Sequence, residues 1–289
     1  MRLGIVTCEK CPAGIPSEQS LPSCLRTHHI EARPVVWNDP SVDWNGFDGF
    51  LVRSIWDYHL HPEKFQDWLT RLKELQRPVW NPVDVLRWNH HKFYLRDLAQ
   101  RGVAIASTLF FQKGETAALV KSRAEGWEDV VIKPAISASG YRTHAVSLRE
   151  RDAEAPFIDA ARHGDFLVQP FLSGIREHGE VSLIFIGGTY SHAVLKRPRF
   201  GEFRVQAEHG GYETPYTPDE ATLRAAKFIV EQTGQSLLFA RVDGLRDGDR
   251  FVLMELELIE PDLFLETAPG SVDRFAEAIV TYLKPSASS

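Results

Sequence analysis

Four residues in the C-terminal quarter of the chain could do chemistry together. Arg241 and Asp243 share one face of a strand-like run over 238–243, because side chains two apart on a strand point the same way. Glu255 and Glu257 likewise share a face of the run 251–258, with Met254, Leu256 and Leu258 on the other. The turn-rich stretch between the runs predicts a hairpin. Register is the condition. A two-residue turn at Asp247-Gly248 sets Asp243 and Glu255 on opposite faces, so uniting them needs an odd-length loop or a bulge. Once united, the three carboxylates repel one another and call for a proton, a basic partner or a hard cation. Oxygen donors without Cys or His point to Mg²⁺ or Mn²⁺, and Mg²⁺ normally brings phosphates. The other reading is a solvated strand face carrying ordinary surface acids.

The chain that must position these residues has 289 of them, long for one core, and two or three subdomains are expected. A hydrophobic fraction of 43% with 25% charged residues describes a soluble globular protein. A net charge of −6 argues against nucleic acid or an anionic membrane as partner. No apolar run approaches a membrane span, and the apolar opening Leu3-Gly4-Ile5-Val6 stops at Glu9-Lys10 without signal-peptide shape. A cytoplasmic location is expected. Cys8, Cys11, Cys24 and His28 approach zinc-site spacing, but the prolines between Cys11 and Cys24 and the helical spacing of Cys24 and His28 favour reduced thiols.

Residues 1–81 alternate short apolar runs with helical patterns: strands over 3–7, 32–37, 47–53 and 79–81, and helices over 21–28 and 62–75. This reads as a small open α/β layer built from βαβ units, with its ligand edge beyond the strand C-termini. There Arg53, Trp56, Asp57 and Tyr58 emerge, a set suited to a zwitterionic small molecule; alternatively the aromatics pack the loop while Arg53 and Asp57 pair. A helix is expected after Asn89 as N-cap, with Lys92 in its first turn, an unfavourable place for a cation. Strands over 108–112 and 130–132, with a helix over 115–125 between them, lead to Lys133. A Ser/Gly loop follows, with Ser137, Ser139 and Gly140, then a strand over 144–148; such a loop can wrap phosphates or be only a loop. Pro170 confines the run 166–172 to an edge or hinge. A strong hairpin signal over 180–196, a polar excursion over 197–212, helices over 218–232 and 272–283, and a short tail over 285–289 complete the chain.

Taken in order, these residues resemble the ATP-grasp superfamily: Lys92, Lys133 before a Ser/Gly loop, the hinge Gln169-Pro170-Phe171-Leu172, Glu180, Arg204, and the Asp243, Glu255, Glu257 set. The chain is similar to glutathione synthetase and RimK-like ligases. The runs Arg53-Ser54-Ile55-Trp56-Asp57-Tyr58 and Met254-Glu255-Leu256-Glu257-Leu258-Ile259-Glu260-Pro261 resemble most the group of the D-cycloserine-forming O-ureido-D-serine cyclo-ligase. The resemblance implies an α/β (α+β lobes) ATP-grasp fold with an N-terminal open α/β, Rossmann-like pre-ATP-grasp domain. Its expected divisions are 1–84 on the substrate side, 85–168 with the phosphate lid, and 169–289 with the metal site.

The same resemblance implies ATP and Mg²⁺ (or Mn²⁺) as cofactors. Lys92 and Lys133 would contact phosphates under a lid of Ser137, Ser139 and Gly140. The backbone of Gln169, Pro170, Phe171 and Leu172 would meet adenine, with apolar cover from Phe171 and Leu172, and Glu180 would reach the ribose. Asp243, Glu255 and Glu257 would hold metal, Glu257 standing where relatives usually carry Asn. Arg204 and Arg241 would stabilise the acyl phosphate and tetrahedral intermediate, and Lys196 would contact substrate or phosphate. The implied activity is an ATP-dependent C–N ligase, in particular a cyclo-ligase acting on a small amino acid derivative. A ligase joining two amino acids and a non-catalytic ATP-binding module are the alternatives. A homo-oligomer, dimer or tetramer, is implied for the assembly.

Overall fold

Strand and helix alternate through the first quarter of the chain, and the computed structural model, which describes residues 1–206, 209–248 and 250–283, turns that pattern into a parallel sheet. Its elements are β1 (Arg2–Thr7), α1 (Leu21–Thr27), β2 (Glu31–Val36), β3 (Gly49–Ser54), α2 (Pro62–Glu74) and β4 (Val79–Trp80). The strands pair in parallel in the order β2-β1-β3-β4, so all four C-terminal ends point the same way, as βαβ connections require. Phe65, Trp68, Leu69 and Leu72 form the buried stripe of α2, at helical spacing, and pack on Trp37, Phe50 and Val52.

Two helices follow, α3 (Val83–Asn89) and α4 (Tyr94–Gln100). The expected N-cap, Asn89, instead ends α3, and Lys92 lies between the helices rather than in a first turn. The dipole penalty anticipated for that lysine therefore does not arise. A second sheet contains β5 (Leu109–Phe111), β6 (Asp129–Pro134), β7 (His144–Ser147) and β8 (Phe166–Pro170) in the order β5-β8-β6-β7, with α5 (Ala118–Ala124) and α6 (Glu154–His163) between its strands. Strand β8 is interior, not an edge. Pro170 is tolerated because it is the last residue, where the ladder ends opposite Val130.

The short α7 (Gly174–Glu177) leads into the third sheet: β9 (Glu180–Ile186), β10 (Thr189–Arg197), β11 (Tyr212–Tyr216), then α8 (Glu220–Glu231), β12 (Phe239–Asp247), β13 (Arg250–Glu257) and α9 (Ser271–Leu283). Its order is β11-β10-β9-β12-β13, all antiparallel. One face buries Leu183, Phe185, Ala240, Val242 and Leu256 against α4 and α8. At one end of the other face, Ile184, Ile186, Val194 and Phe239 pack on the N-terminal sheet and α9. The rest of that face is charged. The 285–289 tail lies outside the described residues.

Candidate active site

The charged face exists because the hairpin contains the bulge its acids require. Strands β12 and β13 pair regularly from Asp247 opposite Arg250 to Gly244 opposite Leu253, and there the register shifts. Beyond it Asp243 faces Glu255 and Arg241 faces Glu257, leaving Met254 as the extra residue. Unbroken pairing would set Met254 against Asp243 and turn both glutamates to the opposite face. Gly244 makes the step possible: a Cβ there would come within 2.5 Å of the Val252 carbonyl oxygen and of the Phe251 ring. Strand β9 widens the face, with Ser182 opposite Asp243 and Glu180 opposite Lys196 of β10.

Two buried asparagines hold the far end of β13 in place. Asn89 donates to the Leu256 carbonyl at 2.8 Å and accepts from the Leu258 N–H at 2.9 Å. Asn81 donates to the carbonyls of Phe239 and Leu258 at 2.9 and 2.8 Å and accepts from the Leu238 N–H at 2.9 Å. Neither belongs to an apolar period, so nothing in the sequence pattern marks either as a clamp on β13.

Above this face lies a cavity of about 280 Å³. All the residues expected at the site line it except Arg53 and Asp57. Arg53 is 1% exposed, ion-paired with Glu18, bonded to the Pro261 carbonyl at 2.7 Å and stacked on Phe239. Asp57 accepts the Trp37 indole N–H at 2.7 Å. Both are committed to joining elements, and they do not pair with each other. Trp56 and Tyr58 do form cavity wall, Trp56 through a 2.9 Å bond to the Glu260 carbonyl.

The cations divide into held and free. Lys92 is buried, donates to the Ser137 carbonyl at 3.0 Å and ion-pairs with Glu255. Burial alone would lower its pKa, but Glu255 outweighs burial and raises it. Lys133 has no hydrogen-bond or ion-pair partner among the described residues, and burial lowers its pKa. Lys196 bridges Glu180 at 2.5 Å and Asp243 at 2.9 Å, so the Glu180 carboxylate meets a lysine as its first partner. Arg241 grips Asp243, pairs with Glu257 and reaches the Asp262 carbonyl at 3.0 Å. Arg204 stands at the rim, bonded to Glu202 at 2.7 Å.

The loop 137–140 and the segment around Arg204 meet over the cavity. A Cβ on Gly140, which has φ +67°, would lie 3.4 Å from the Arg204 side chain. Ser137 is buried and bonded to the Pro134 carbonyl at 3.2 Å, while Ser139 is exposed with φ 50°. At the hinge, Gln169 is fixed by a 2.8 Å bond to Thr108, and the Phe171 N–H already donates to the Asp129 carbonyl at 2.8 Å. The side chains of Phe171 and Leu172 give the cavity an apolar end with Val131 and Met254.

The expected metal set is only partly open. Asp243 is saturated, accepting from Ser182 at 2.7 Å as well as from Lys196 and Arg241, and these cations outweigh burial to lower its pKa. No group of three His, Cys, Asp or Glu side chains is poised to hold an ion among the described residues. Asp243 is therefore the least available of the three acids. Burial, with neighbouring carboxylates outlasting the opposing Arg241, lifts Glu257 to about 7, and burial and Glu257 lift Glu260 to about 8. A cavity in which carboxylates outnumber cations, with oxygen donors from Glu255 and Glu257, fits a divalent cation.

Glu260, Asp262, Phe264 and Glu213 also line the cavity and were not read from the sequence. Two-residue alternation carried past Glu257 places Glu260 on the face opposite Glu255, but β13 ends at Glu257 and the chain swings back.

Residues 3–81 match the family model described as the D-cycloserine synthetase DcsG, N-terminal domain. The chain is 30% identical to the cycloserine biosynthesis protein DcsG of Streptomyces lavendulae, over 98% of this chain and all of that protein. The crystal structure of D-cycloserine synthetase DcsG superposes with a TM-score of 0.87 at 27% identity, covering 98% of this chain and 100% of that one. A RimK-domain ATP-grasp protein from Sphaerobacter thermophilus (TM-score 0.72, 17% identity, 99% and 100% coverage) shares the fold. So does a D-alanine–D-alanine ligase from Bacillus anthracis complexed with ATP (TM-score 0.70, 13% identity, 97% and 96% coverage). With the charged sheet face, the lysines and the loop 137–140 arranged as they are, the chain belongs to the family of the D-cycloserine synthetase DcsG and is an ATP-dependent C–N ligase with the ATP-grasp fold.

Proposed function

We propose that this ligase closes a ring within one small amino acid derivative, as the name of its relative, a D-cycloserine synthetase, suggests for that protein's own reaction. The observation that carries the reading is Lys133. A half-buried ammonium with no hydrogen-bond or ion-pair partner among the described residues, in a cavity wall where it feels the Glu255 carboxylate, is a place for phosphate.

The substrate carboxylate attacks the γ-phosphorus of ATP and ADP leaves, giving an acyl phosphate. A nitrogen of the same molecule then attacks the carbonyl carbon, the C–O bond to phosphate breaks as the C–N bond forms, and the nitrogen's surplus proton leaves with the phosphate. Lys92 and Lys133 hold phosphoryl oxygens. Arg241 and Arg204 face the charge that develops on the carbonyl oxygen. Residues 137–140 cover the cavity and keep water from the acyl phosphate. Glu255 and Glu257 would hold Mg²⁺, which supplies charge neutralisation to the phosphates. Trp56 and Tyr58 form the substrate wall with Glu260 beside them, so residues 1–84 act as the substrate-side unit, 85–168 carry the lid, and 169–289 carry the charged sheet with Glu260.

The test is ADP release with Mg²⁺ and O-substituted serines of both hands, followed by product mass. A product built from one substrate molecule supports ring closure. A product joining two amino acids would replace it with intermolecular ligation.

A further inference from the structure

Beyond the ligase site, the end of β1 carries a dithiol that the reaction does not use. Cys8 and Cys11 are spaced C-x-x-C, and their sulfurs lie 3.4 Å apart. The turn that joins them is set by backbone bonds, Cys11 N–H to the Cys8 carbonyl at 3.1 Å and Gly14 N–H to the Cys11 carbonyl at 2.9 Å. Cys8 is fully buried and Cys11 is partly exposed, so the second residue of the pair is the one nearer solvent. A hydrogen bond from the Cys8 thiol favours the Cys11 thiolate and draws it down to about 6, while the same bond and burial raise Cys8. The third cysteine stands apart: Cys24 lies 3.8 Å from Asp273. No zinc set of Cys8, Cys11, Cys24 and His28 is assembled.

The pair also touches the cavity wall. The Cys11 sulfur lies 3.2 Å from the carbonyl oxygen of Ser54, the last residue of β3. Two residues on, Trp56 lines the cavity and bonds to the Glu260 carbonyl at 2.9 Å.

We propose that Cys8 and Cys11 are a redox-modification site, closed to a disulfide by a peroxide and read out by residues 54–58. The Cys11 thiolate attacks one peroxide oxygen; the S–O bond forms, the O–O bond breaks, and the departing hydroxide takes a proton from solvent. The Cys8 sulfur then attacks the sulfenic sulfur of Cys11, the S–S bond forms, and the hydroxyl leaves as water with the Cys8 proton. Two thiols give up two electrons, and one hydrogen peroxide becomes two waters. Joining the sulfurs draws Cys11 off the Ser54 carbonyl and frees the segment that carries Trp56.

The experiment treats the full chain, in a Cys24→Ser background, with hydrogen peroxide, blocks remaining thiols and digests with trypsin. Lys10 lies between the two cysteines, so cleavage there leaves their peptides joined only by a disulfide. The expected result is a linked peptide pair that dithiothreitol separates, with amide exchange across residues 54–58 accelerated severalfold in the oxidised protein. Cys11→Ser should show neither change. Unlinked peptides after peroxide, or a linked pair with unchanged exchange over 54–58, would overturn the proposal. Neither readout depends on which substrate the ligase takes.

Discussion

Two lysines face one carboxylate, Glu255, and differ in what holds them. Lys92 is paired with it, while Lys133 feels its charge with no contact partner among the described residues. Lys133→Met should therefore leave stability nearly unchanged and raise the KM for ATP about tenfold or more, because it removes a charged phosphate contact worth about 1.5–3 kcal/mol. Lys92→Met should destabilise as well, since it strands a buried carboxylate; denaturant melts separate the two variants. Protonation gives a second test. Glu257 and Glu260 have folded pKa values above the unfolded carboxylate value of 4.5. Between about pH 4.5 and 8 the native state then binds more protons than the unfolded state, so these groups make stability fall as pH rises. Melting temperature measured across that range should show this slope without ligand, and Mg²⁺ with ATP should flatten it by supplying positive charge. These acids were only partly legible in the sequence. Glu257 announced itself by alternation with Glu255, whereas Glu260 reaches the cavity because the strand ends. Arg53 was misplaced because its partner, Glu18, comes 35 residues earlier, beyond any local pattern.

At the scale of elements, the site depends on one register shift and two clamps. Gly244→Ala forces a methyl against the Val252 carbonyl and should cost about 1–3 kcal/mol in denaturant unfolding. Turnover should fall with it, because the shift is what keeps Glu255 opposite Asp243. Asn89→Ala removes both bonds to β13 and leaves two buried backbone groups unpaired, a cost of about 1–3 kcal/mol for each. The bulge could be demanded from the spacing of Asp243 and Glu255 alone. Its position at Met254 could not, since that is fixed by steric relief at a glycine. Helices α3 and α6, the short α7 and the edge strand β11 were not expected. Strand β11 is mostly exposed and contains Pro215, so it shows no buried alternation, and α7 spans only Gly174–Glu177.

Across the whole molecule, three sheets meet so that the N-terminal layer offers aromatic wall, the middle sheet offers a lysine and the loop 137–140, and the large antiparallel sheet offers the charged floor. The βαβ rhythm, the hairpin over β9 and β10, and the carboxylate hairpin were readable because each is a local period. How the sheets dock was not, because docking rests on isolated buried polar residues, Asn81 and Asn89, and on Arg53 sandwiched between Glu18 and Phe239. The most direct test of the charged floor as the seat of catalysis is amino acid-stimulated ADP release by Glu255→Gln beside the unaltered protein, at saturating ATP and Mg²⁺, with circular dichroism confirming the fold. A fall of about a hundredfold or more with the fold intact is the predicted result. Equal turnover in the two proteins would contradict it.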